Sequence, residues 1–334
     1  MNKLAIALVF GLLMSCESEP VSPVQEPLLN VPTGFPQPVF PEDNELTPER
    51  WSLGKRLFFD PVLSKDSTSS CSSCHLPELA FTDGKSVSEG IEKRQGTRNA
   101  PTLANVAYHP YFLREGGVPT LEMQILVPIQ EHAEFDFNIV NIAERLQRNP
   151  SYVQASLEAY GRIPDPFVIT RAIGCFERTI LSGNSRYDDF IRGNHSALNE
   201  NEMRGMELFF SEELSCAHCH SGFNFTGYGF ENNGLYKEYN DQGRFRLTGL
   251  ETDRALFKVP TLRNVGVTAP YMHDGSMNNL EEVIAHYNSG GNQHIHQSPM
   301  VKPLSLNDQQ QQDLIAFLKS LTDEEFLSNA KFKQ

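Results

Sequence analysis

Two short stretches decide how this chain reads: Cys71-Ser72-Ser73-Cys74-His75 and Cys216-Ala217-His218-Cys219-His220. Both are C-x-x-C-H, the pattern in which two thiols add to the vinyl groups of a c-type haem and the adjacent imidazole ligates its iron. Two residues between the thiols set them on the turn of a short helix, and the next position aims the imidazole at the haem face. The second copy stands 145 positions after the first (71 to 216, 75 to 220), which points to two haem units in tandem. Two other uses of the pattern compete: a disulfide or thioredoxin-type redox pair, and a four-cysteine zinc site drawn from both copies. A gap of 145 residues is far beyond zinc-ribbon spacing, and neither use explains a His directly after both pairs.

Outward from the motifs, helical spacing dominates. Thr47-Pro48-Glu49 reads as an N-cap followed by a Pro at the first helical position, opening a helix with Trp51, Leu53, Leu57 and Phe58. Ile139, Ile142, Ala143 and Leu146 keep helical spacing, as do Ile169, Ala172, Ile173, Phe176 and Ile180. Cys175 lies in that second stripe and reads as a small buried hydrophobe. Leu314, Phe317, Leu318 and Leu321 repeat the pattern near the end, with Asn307 as cap. No sustained strand alternation competes, and long loops rich in Gly and Asn, such as residues 223–246, separate the helices. The expected fold is mostly α: two tandem cytochrome c-like helical domains, 45–192 and 193–334, each with one covalent haem. The boundary falls near Arg192-Gly193-Asn194.

The start of the chain has a different character. Met1-Asn2-Lys3 leads into an apolar run from Leu4 to Met14, too short to span a bilayer and suited to a signal peptide over residues 1–15. Leu13-Met14-Ser15-Cys16 resembles a bacterial lipobox in which Cys16 is lipidated after cleavage. Met14 is unusual in that box, so plain cleavage near Ser15 is the alternative. Residues 16–44, rich in Pro, Glu, Ser and Val, read as a tether. The protein is thus expected on the periplasmic side of a bacterial membrane, held by a lipid anchor only.

Charge and cysteine count narrow the function. Of 334 residues, 42 are acidic and 28 basic, a net charge of −14, which excludes a nucleic-acid binder with its clustered cations. Six Cys are too few for a disulfide scaffold of this length, so their spacing carries the information.

Further segments carry a resemblance: Leu57-Phe58-Phe59-Asp60-Pro61, Arg98-Asn99-Ala100-Pro101-Thr102, Leu121-Glu122-Met123-Gln124, Lys258-Val259-Pro260-Thr261-Leu262-Arg263-Asn264-Val265 and Pro270-Tyr271-Met272-His273-Asp274-Gly275. With both C-x-x-C-H motifs between them in order, the chain resembles the bacterial di-haem cytochrome c peroxidase family, which includes the MauG-type enzymes. The resemblance implies a peroxide-reacting haem on His75 and an electron-entry haem on His220. It also implies a peroxidatic pair at Gln124 and Glu134. A carboxylate can take a proton from the near oxygen of peroxide and return it to the leaving oxygen, while an amide orients the peroxide. A calcium ion is implied on Asn99, Thr268 and Pro270, oxygen donors that suit a hard cation.

Three departures from the family pattern stand out. Residues 86–97 hold no His to block the first haem, so that haem is expected open or water-ligated when oxidised; His109 and His132 read as core or surface residues. The sixth ligand of the second haem, usually Met, falls at Tyr287, as in MauG-type enzymes; a packed Tyr with its hydroxyl bonded elsewhere is the alternative, leaving Met272 and Met277 as thioether candidates. The Trp that commonly relays electrons between the haems falls at Arg114, and the single Trp is Trp51. Tyr108, Tyr111 or a propionate path are the substitutes.

The function expected is a peroxidase that reduces hydrogen peroxide to water with electrons from a small mono-haem cytochrome c or cupredoxin. The acidic surface favours a basic partner at low salt. A MauG-like oxidase of protein side chains and a non-catalytic di-haem electron carrier are the alternatives. A homodimer fits the family pattern, though no residue decides it.

Overall fold

The computed structural model describes residues 27–334. The expected signal peptide, Cys16 and the first part of the tether lie outside the described residues. Among those described, no helix is long and apolar enough to cross a membrane.

The fold is mostly helical. Helix α1 (Pro48–Phe59) opens where Thr47 Oγ1 accepts the Arg50 N–H at 3.3 Å. Pro48 occupies the first turn, where its missing N–H has no partner to lose. Asp60 stops the helix in an extended conformation and caps the following turn through Val62 N–H, 2.8 Å. Next come α2 (Leu121–Gln124), α3 (Leu126–Gln130), α4 (Ile139–Gln147), α5 (Pro150–Tyr160) and α6 (Pro166–Glu177). All residues of α6 from Val168 to Glu177 except Arg171 are buried, because neighbours cover it on nearly every side. The first half closes with α7 (Arg186–Ile191), and the second holds α8 (Glu200–Phe210), α9 (Cys216–Cys219), α10 (Phe245–Thr248), α11 (Leu280–Ser289), α12 (Asp308–Ser320) and α13 (Glu324–Ser328). Two short antiparallel strands, β1 (Phe230–Glu231) and β2 (Phe257–Lys258), pair with Phe230 opposite Lys258.

The two halves are built on one plan. α1 crosses α6 at Gly54, where an added Cβ would lie 1.8 Å from the Ala172 carbonyl oxygen; α8 crosses α12 at Gly205, where it would lie 1.9 Å from that of Asp313. Only glycine permits so close an approach of helix backbones. Four residues beyond each contact a Phe enters the core, Phe176 in one half and Phe317 in the other. Phe58, Phe81 and Phe176 centre the first core; Phe209, Phe225 and Phe317 centre the second. Each such buried ring contributes about 1.5–3 kcal/mol.

Packing crosses between the halves at both ends of the second. Tyr187 on α7 packs on Phe225 and Phe317, with ring centroids 5.2 and 5.7 Å away. Arg263, 2% exposed, donates to Asp188 of α7 at 2.6 Å. Beyond α12 the chain returns, and Phe326 and Phe332 pack on Phe81 in the first core at 5.9 and 6.0 Å. A buried polar hub fixes this crossing. Asp323 accepts from Ser182 Oγ, Gly183 N and Asn184 N, while Asn264 accepts from Asp323 N and donates to Ser182. Asn105 bonds Ser182 from the other side, donating to its carbonyl and accepting its N–H.

Candidate active site

Both C-x-x-C-H motifs form single tight turns, and each places its histidine in the same setting. His75 Nδ1 lies 2.8 Å from the Phe81 carbonyl, and His220 Nδ1 lies 3.1 Å from the Phe225 carbonyl. A carbonyl only accepts, so each Nδ1 carries the proton and each Nε2 keeps its lone pair for a metal. The carbonyls are held in place in turn. Thr102 Oγ1 donates to Ala80 O at 2.5 Å, and Thr261 Oγ1 donates to Asn224 O at 2.6 Å, each one residue before the acceptor Phe. Burial lowers both imidazoles below the ordinary histidine range, which keeps them neutral.

The residues fit a covalent haem. Cys71, Cys74 and His75 line a cavity with Leu63, Leu103, Ile125, Ile129, Phe135 and Ile173. Its walls are apolar, as a porphyrin needs. Burial pushes the Cys74 and Cys216 thiols up to about 11 and raises Cys71 and Cys219 as well. Among the described residues no group of three or more His, Cys, Asp or Glu is placed to hold a metal ion.

Gln124 and Glu134 open onto the same cavity as His75. Gln124 ends α2, which is fixed to α6 by the two-pronged pair of Glu122 with Arg178, at 2.6 and 3.0 Å. Glu134 sits on a loop whose carbonyl accepts Ile91 N–H at 2.9 Å. Gly90 allows that approach, since a Cβ there would lie 2.2 Å from Ala133 O. Burial, then the charge of Glu131, raises the Glu134 carboxyl from 4.5 to about 7. The same cavity wall carries an acid that sequence reasoning passed over. Glu177, at the end of α6, is buried, is raised to about 8 by burial, and has no hydrogen-bond partner for Oε2 among the described residues. Its position four residues after Ile173 in the apolar stripe was the available signal.

In the second half, Tyr287 on α11 lies near Asn233 and near enough to Cys216 and Cys219 to feel their charges; burial pushes its phenol up to about 12. Met272 Sδ accepts from Asn233 Nδ2 at 3.1 Å, and Met277 sits in a bridge with Tyr271. His132 is exposed and His109 lies half-buried beside Lys258, 3.2 Å from its Nζ, and neither lines the first cavity. Trp51 donates to Thr179 in the first core. Between the halves, Tyr111 stacks on Phe230 at 5.1 Å and donates to Tyr228 O.

Of the residues expected to hold calcium, Asn99 has both of its oxygens engaged otherwise. Arg114 Nη2 donates to Asn99 O at 2.7 Å and to Asn99 Oδ1 at 3.1 Å. A guanidinium on the one side-chain oxygen of that set leaves an arrangement that does not fit a hard divalent cation, which needs several unshared oxygens.

Comparison with known proteins agrees with this architecture. The family model for di-haem cytochrome c peroxidase matches residues 48–196, and that for cytochrome c matches 203–322. The chain is 36% identical to the methylamine utilization protein MauG of Methylorubrum extorquens, over 85% of this chain and 81% of that protein. It is 31% identical to the cytochrome-c peroxidase IdrP1 of Pseudomonas sp. strain SCT, over 96% and 92%. A solved MauG-like protein associated with microbial copper homeostasis superposes with a TM-score of 0.87 at 35% identity, covering 91% of this chain and 98% of that one.

Proposed function

The chain belongs to the family of di-haem cytochrome c peroxidases and MauG proteins, and from that premise we propose that it reduces hydrogen peroxide to water in an exported compartment. The observation that carries this reading is the convergence of Gln124, Glu134 and His75 on one cavity that no second histidine lines. Covalent haem on Cys71 and Cys74, with His75 as ligand, supplies the redox centre where peroxide binds and is reduced. Reduction of one peroxide to two waters consumes two electrons and two protons. Glu134, raised to about 7, can take the proton from the near oxygen and return it to the departing one. Gln124 offers an amide N–H to orient the peroxide and to stabilise negative charge as the O–O bond lengthens. The apolar walls exclude bulk water, which strengthens both interactions.

Cys216, Cys219 and His220 would hold a second haem, which would supply the entry point for single electrons from a small mono-haem cytochrome c or cupredoxin. Tyr287 is its proposed sixth ligand. The stacked Tyr111–Phe230 pair lies on a path between the halves. The proposed cofactors are two haems, with residues 45–192 and 193–334 as the two haem units and Cys16 as the anchor to the periplasmic face. A second reading, peroxide-driven oxidation of a protein side chain, is favoured by a tyrosine at 287 near the second thiol pair.

The deciding experiment is steady-state oxidation of reduced mono-haem cytochrome c by hydrogen peroxide, using haem-loaded protein with no pre-reduction. Turnover is expected from the all-ferric state. No turnover with several donors, even after pre-reduction, overturns the peroxidase reading and leaves side-chain oxidation.

A further inference from the structure

Asn99 lies at the seam of the two halves and is bonded on every side. Its N–H donates to His273 O of the second half at 2.9 Å, and its Nδ2 donates to Lys85 O at 2.9 Å. Its carbonyl and its Oδ1 both accept from one nitrogen, Arg114 Nη2, at 2.7 and 3.1 Å. Arg114 is itself tied to the second half, because its carbonyl accepts Lys258 N–H at 2.6 Å. A positive group therefore already sits on the oxygens of Asn99 and joins the halves there.

Charged groups of both signs crowd the seam. Arg98 is clamped by Asp241, with contacts of 2.6 and 2.9 Å, and by Glu115. The cations Arg98 and Lys258 stand near Arg114, as do the carboxylates Asp241, Glu115 and Asp274. Burial lowers the Arg114 guanidinium to about 10, which leaves it protonated at neutral pH. A dication added here would meet three cations, and the Asn99 Oδ1 it needs already accepts a charged N–H.

We infer that the Arg114 guanidinium is the resident cation of the interdomain site, so that the wild-type chain binds no calcium at Asn99 and removal of the guanidinium exposes those oxygens to it. A cation carried by the chain joins the halves as a bound ion would, yet no chelator can withdraw it. The inference does not depend on which peroxide reaction the protein performs.

The test uses the full haem-loaded chain. Wild-type protein exchanged into metal-free buffer is expected to contain well under one calcium per chain by elemental analysis. Its Soret and EPR spectra are expected to be unchanged by EGTA, and its Tm unchanged by millimolar calcium. Arg114→Ala is expected to gain a saturable rise in Tm with calcium, since a ligand that binds only the folded state stabilises it. About one tightly held calcium per wild-type chain, or a chelator-sensitive spectrum, overturns the inference, and these wild-type measurements stand even where the variant does not fold. A folded Arg114→Ala with no calcium-dependent Tm shift overturns it as well.

Discussion

The state of Glu134 sets a measurable pH profile. As proton acceptor for peroxide it must be ionised, and its carboxyl is raised from 4.5 to about 7. With that value roughly 1% of the protein carries the active form at pH 5 and roughly 90% at pH 8, a change of about 90-fold; a carboxyl at 4.5 would change about 1.3-fold over the same range. The assay is stopped-flow mixing of all-ferric holoprotein with excess hydrogen peroxide. The observed Soret rate is followed from pH 5 to pH 8 at fixed ionic strength. Glu134→Gln keeps the shape and hydrogen-bonding capacity of the side chain but not its basicity. Its rate should fall by about 10²–10⁴-fold and lose the pH dependence. A wild-type rate that is flat across this range refutes the reasoning, as does a Gln variant with the wild-type rate and profile.

Three other perturbations have defined outcomes. Tyr287→Phe should alter the EPR signal of one ferric haem and leave the other unchanged; two unchanged signals would remove Tyr287 from the ligand set. Asp188→Asn strands the buried Arg263 guanidinium and should lower unfolding free energy by about 3–5 kcal/mol in urea titration, while a loss below about 1 kcal/mol would mean the pair is not a buried contact in solution. Gly205→Ala drives a methyl into the Asp313 carbonyl and should cost at least about 1–3 kcal/mol. The control Gly229→Ala, which meets nothing within 4 Å, should stay within about 0.5 kcal/mol, and equal effects at the two sites would refute the close-crossing argument.

Much of the plan was legible in the sequence because the information is local. The capping Thr47 and Pro48, the stripe from Ile169 to Ile180 and the C-x-x-C-H turns depend on neighbours a few residues away. The contact of Arg114 with Asn99 was not legible, although Arg114 stood out as a departure, because a long side chain's partner is fixed only when distant loops meet. Glu177 was hidden for a related reason. An acid at the end of an apolar stripe reads as a polar helix terminus until the cavity it borders is seen. The reach of α13 and Phe332 back into the first core had no local signature, since those residues keep helical spacing that would suit either half.

That return has a consequence for how the molecule is made. The chain leaves the ribosome in order, and Phe326 follows Phe81 by roughly 250 residues, which at about 5–20 residues per second means a wait of roughly 12–50 s. Throughout that interval Phe81 lacks its last neighbours, so the first core stays open on that side until synthesis is finished. A chain cut short before residue 323 leaves the first half with an uncovered aromatic face, a mark by which the quality-control proteases of the compartment can recognise an unfinished product.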